Sequence, residues 1–173
     1  MNRPTAARWV GVPAFLVLVL VCWPAIRVAI DRVRYPRSSF GALIESSTGH
    51  AVDTIHGTAT KDLVGLPDTT VQIRWTRGGL DTLYALAIRD RLFDLPEPHP
   101  ISTPQMIQPA FDAHVRLTAG SRSRDFRWNS GDRPTEASMG EWMRLFRFAR
   151  TLDSMAVHQP NYEALPPAKG GYM

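Results

Sequence analysis

The chain has 173 residues, 44% of them hydrophobic and 21% charged, with a formal net charge of +4 and a single cysteine. Lone Cys22 excludes an intrachain disulfide framework, and the length beyond the first forty residues suits one domain with a modest core. The basic balance does not mark a nucleic-acid binder, because residues 1–37 carry six arginines against Asp31, while residues 38–173 carry 14 basic and 15 acidic side chains.

Residues 1–8 read as a short N-terminal tail. Trp9 to Ile26 is an uncharged run that would span ~27 Å as a helix, against a hydrocarbon core of ~30 Å. It has no polar stripe, no small-residue pair for signal-peptide cleavage, and a branched Val19-Leu20-Val21 where a lipobox before Cys22 needs a small residue. The run therefore predicts a retained single-pass transmembrane helix over 9–30, kinked or ended by Pro24, with Trp9 and Trp23 at the interfaces. It lacks His, Asp, Glu, Asn and Gln, so no pigment or haem is expected to be ligated within it. Residues 31–38 read as a basic juxtamembrane linker, with Arg32, Arg34 and Arg37 as lipid-headgroup contacts. Arginine dominance over lysine fits a GC-rich bacterial genome at least as well as selection for bidentate recognition, and with the expected anchor the chain is expected at a bacterial inner (cytoplasmic) membrane. The short tail with Arg3 and Arg8 favours export of the domain to the periplasm; the arginines after the helix count toward the cytoplasm.

Residues 39–156 read as the folded domain. Phe40 to Glu45 predicts a strand, and Thr48-Gly49 a turn into a second strand from His50 to Thr60. Val71 to Thr76 alternates with period two, placing Val71, Ile73 and Trp75 toward a core. Leu80, Leu83, Tyr84, Ala87 and Ile88 follow helical spacing to about Leu92, and Phe93-Asp94-Leu95-Pro96 closes that helix. A loop follows with Pro98, Pro100, Pro104 and Pro109 after Pro96. Ala113, Val115 and Leu117 alternate with His114, Arg116 and Thr118, and Ala119-Gly120-Ser121 turns the chain into Phe126 and Trp128, a second hairpin. Met139, Trp142, Met143, Phe146, Ala149 and Leu152 define the strongest amphipathic helix, its Met and aromatic stripe read as packing core. Residues 157–173, rich in Pro, Gly and Tyr, read as an extended or disordered tail.

The order β-β-β-α-β-β-α predicts an α+β, two-layer domain, an antiparallel sheet with two helices on one face. The other face is expected to be open and to carry Gln72, Arg74, His114, Arg116 and Arg127.

The chemistry available to this arrangement is sparse. His50, Asp53 and His56 have metal-like spacing, but on a strand Asp53 points away from both histidines. His114 shares a strand face with Asp112 but has no Ser or Cys to activate. Asp94 and Glu97 flank the proline-rich loop without acid–base pairing. The arginines at 122, 124 and 127 lie among Phe126 and Trp128, and the aromatics are expected to face inward, away from any nucleic acid. No catalytic residue, cofactor or metal ligand is assigned. Arg74, Arg116, Arg127, Tyr162 and Tyr172 are the candidate partner-binding residues. Together these features predict a non-catalytic, single-pass membrane-anchored protein-binding domain, an accessory or stabilising subunit of a larger membrane complex.

The helix end Phe93-Asp94-Leu95-Pro96, the proline-rich loop, the hairpin through Phe126 and Trp128 and the closing helix from Thr135 carry a family resemblance. Over residues 40–155 they resemble small bacterial α+β domains related to emfourin, a proteinaceous inhibitor of thermolysin-type metalloproteases. The resemblance implies that fold and, as an alternative function, a membrane-tethered protease inhibitor or regulator. The chain departs from the pattern in lacking paired glycines after its first strand and in its N-terminal helix.

Overall fold

The computed structural model describes residues 11–64, 66–95, 102–103, 112–129, 133–136 and 138–168. The chain divides into two compact units, one ending at Arg34 and the other beginning at Tyr35.

The first unit contains one helix, α1 (Gly11–Arg34), which passes through Pro24 and continues beyond the expected end at residue 30. Its side chains are described from Cys22 onward, and over that stretch Arg27, Asp31, Arg32 and Arg34 are charged. Among the described residues, no helix is long and apolar enough to cross a membrane. This finding overturns the transmembrane anchor expected at 9–30, and with it the single-pass, signal-anchor and membrane-anchored reading. The expectation rested on the uncharged run alone, whereas the helix that forms carries its charges into its last turns.

The second unit is an α+β fold on one antiparallel sheet. Its strands are β1 (Gly41–Ser46), β2 (Ala51–Asp53), β3 (Thr58–Lys61), β4 (Thr69–Gln72), β6 (Asp112–Ala119) and β7 (Arg122–Asn129), in the spatial order β4-β3-β2-β1-β6-β7. A separate ribbon pairs β5 (Ser102–Thr103) with β8 (Arg133–Pro134). The proline-rich loop otherwise lies outside the described residues.

Register explains why one face is buried. Val71, Ala59, Val52, Ile44, Val115 and Phe126 are successive cross-strand partners, forming a single apolar row across all six strands. Because side chains alternate along a strand, the rows on either side of it face the other way. One of these rows is Gln72, Thr58, Asp53, Leu43, Arg116 and Asp125; the other ends in Glu45, His114 and Arg127.

Two helices pack against the apolar row. The first, α2 (Arg77–Arg89), starts where Thr76 accepts a hydrogen bond from the Gly79 N–H at 3.0 Å, and it buries Leu83, Tyr84, Ala87 and Ile88. The second, α3 (Met139–Val157), buries Leu145, Phe148, Ala149, Leu152 and Ala156. Asp90, enclosed at the end of α2, ties the two together: its carboxylate accepts from Arg147 Nε at 3.0 Å and its carbonyl from Arg144 at 3.1 Å.

Several expected boundaries are corrected. The strand expected from His50 to Thr60 is broken into β2 and β3, so four strands precede α2 instead of three. The Asp53 carboxylate accepts the N–H groups of Ile55 and His56 at 2.6 and 3.1 Å, and Gly57 takes φ +65°, a conformation open to glycine without Cβ strain. The tail expected from 157 is also ordered in part. α4 (Pro160–Glu163) follows α3, and Tyr162 within it is buried.

Candidate interaction surface

The open sheet face carries a polar network centred on His114. Its Nδ1 lies 3.1 Å from Glu45 and its Nε2 2.5 Å from Asp125, which also accepts from Arg116 Nε at 3.1 Å. Partial burial raises the Asp125 pKa, but hydrogen bonds from His114 and Arg116, with their charges, outweigh it and hold the carboxyl below its ordinary value. Both ring nitrogens of His114 thus face carboxylates, and none of its contacts among the described residues is to a hydroxyl or thiol. The two carboxylates sit on opposite edges of the imidazole, so the three groups do not converge on one ion. Among the described residues, no group of three His, Cys, Asp or Glu side chains is placed to hold a metal.

Two other described histidines are engaged by protein groups. His56 Nδ1 pairs with Asp53 at 2.5 Å within the β2–β3 turn. His50 lies 2.7 Å from Asp153 on α3 and 3.3 Å from the Tyr162 hydroxyl. Burial, then the charges of Asp153 and Asp62, push the Tyr162 phenol above its ordinary pKa. That direction is opposite to activation as a nucleophile, and the trio fastens α3 and α4 to the start of β2.

The outer side of α3 is different in kind. Met143 is 51% and Phe146 39% exposed, with Met139 exposed beside them. Trp142, packed against the core, stacks on Phe146 with ring centroids 4.8 Å apart and planes 8° from parallel. The stack holds an exposed aromatic ring in one orientation. Met143, Phe146 and Met155 line an open groove of about 570 Å³ together with Arg147 and Arg150. The helical stripe expected to be core therefore divides: Ala149 and Leu152 are buried, Trp142 is partly covered, and Met139, Met143 and Phe146 face outward.

The residues expected to contact partners are dispersed. Arg116 and Arg127 lie exposed on the open sheet face, Arg116 paired to Asp125 and Arg127 opposite His114. Arg74 is exposed beyond the end of β4. Tyr162 is 8% exposed and faces His50 and Lys61 instead of solvent, which corrects its expected role. Tyr172 lies outside the described residues. The residues expected at lipid headgroups are also separated. Arg37 forms an ion pair with Asp81 of α2, while Arg32 and Arg34 are exposed on α1.

The residues missed by sequence reasoning are Met143 and Phe146 as surface groups. A signal for them existed: at ~100° per residue the apolar side chains from Met139 to Ala156 cover roughly two thirds of the helical wheel, more than one sheet face can bury. No protein-family model and no curated protein matches the chain.

Proposed function

We propose that the chain is a non-catalytic protein-binding domain, an accessory subunit that docks its partner on the outer face of α3. The observation that carries this reading is Phe146, exposed yet held against Trp142, with Met143 beside it and arginines lining the same groove. Aromatic anchors bordered by arginine are the composition of interface hot spots, and a ring already fixed loses little entropy on binding. The histidine networks support the non-catalytic part, since His50 and His114 have both ring nitrogens taken up by protein groups.

The test is site-specific photo-crosslinking in native extract, with the reactive group at position 146 or, as a control, at exposed position 82 on α2. The expected result is a discrete adduct of defined mass from 146 and none from 82. No adduct from 146, or the same adducts from both positions, overturns the reading.

A further inference from the structure

Resting on that docking reading, we propose that the groove on α3 receives an amphipathic helix of another protein whose apolar ridge is flanked by Asp and Glu. The groove follows the helix axis: Met143, Arg147, Arg150 and Ser154 succeed one another at four- and three-residue steps along it. α3 has 19 residues and so runs ~28 Å, long enough to meet anchors at i, i+3, i+4 and i+7 of a partner helix. Unbranched methionines beside one fixed aromatic ring can adjust to such a ridge.

Charge selects the partner. Among the described residues lining the groove, the ionisable ones are Arg147 and Arg150. The nearby acids are already engaged, Asp90 by Arg89 and Arg147 and Asp153 by His50. Arg150 is exposed and has no ion-pair partner among the described residues. An acidic flank on the incoming helix supplies that partner. A second copy of this chain does not, because a two-fold contact through the same groove sets Arg147 and Arg150 against their own equivalents.

The experiment uses the full-length chain and two synthetic helical peptides with one leucine ridge, flanked in one by Glu and in the other by Lys, read by fluorescence anisotropy. The Glu peptide is expected to bind at least about tenfold more tightly than the Lys peptide, with the gap narrowing at high salt. Phe146→Ser weakens both by about tenfold or more, and Arg150→Glu, at an exposed position, inverts the preference. Equal binding of the two peptides, no binding of either, or binding unmoved by both substitutions overturns the proposal. Concentration-dependent self-association abolished by Phe146→Ser also overturns it, in favour of a second copy. If the peptides fail while position 146 still crosslinks a discrete protein, the partner chemistry is wrong and the docking surface stands. Loss of both removes the surface itself.

Discussion

Phe146 and Phe148 are the same residue type two positions apart on one helix, and their fates are opposite: 39% exposed against fully buried. Phe148 lies with Leu145 and Leu152 over the apolar row of the sheet, whereas Phe146 lies with Met143 and Arg150 on the outer side of the helix, stacked on Trp142. The row running from Val71 to Phe126 fixes the width of the buried strip, so the sheet, and not residue identity, decides which aromatic becomes core. Apolar surface left over after the core is closed is available for a partner.

The largest test of that contrast is truncation on each side. Phe148→Ala should lower unfolding stability by about 3–5 kcal/mol, because a filled site becomes a cavity. Phe146→Ala should cost about 1 kcal/mol or less, the value of a half-exposed stacking contact. Chemical denaturation of both variants measures the difference, and equal losses would erase the distinction between the faces. Arg147→Ala comes next, at about 1–3 kcal/mol, since it strips one of two arginines from a carboxylate enclosed between α2 and α3. Its midpoint in urea should fall between those of the two phenylalanine variants.

How much of this was legible in the sequence depends on whether local pattern or tertiary cover decided the outcome. The hairpin through Gly120 could be read directly, because strict alternation on both arms meets a turn whose glycine takes φ +63°. The open-face placement of His114, Arg116 and Arg127 followed from the same period of two. The break between β2 and β3 was carried by Asp53 and Gly57, but alternating β-formers around them masked it. The sidedness of α3 could not be read from spacing, since Met139, Trp142, Met143, Leu145, Phe146 and Phe148 offer several stripes and only the sheet chooses among them. Tyr162 was misjudged for a related reason: a proline-rich tail looks unstructured until His50, just before β2 and distant in sequence, gives its hydroxyl a partner.

The smallest expected effect is a pH dependence that belongs to the open sheet face and not to α3. Asp125 has its carboxyl pKa lowered in the fold, so its contribution is fully present above the unfolded value near ~3.9 and is lost as pH falls through the lower folded value. Asp53 acts in the same direction: partial burial opposes ionisation, but His56 and two backbone N–H groups prevail. Stability should therefore drop between pH 5 and strongly acid solution in the wild type, and drop less in Asp125→Asn, whose side chain does not titrate. The change is modest because Asp125 is partly exposed and its ion pairs are screened. Phe146→Ala should keep the wild-type dependence, since the described residues that line the groove on α3 include no carboxylate. Denaturation curves across pH for the three proteins decide the matter. If Phe146→Ala flattens the acid response as Asp125→Asn does, the two faces are energetically coupled, and the outer strip of α3 is part of the folded core's own balance.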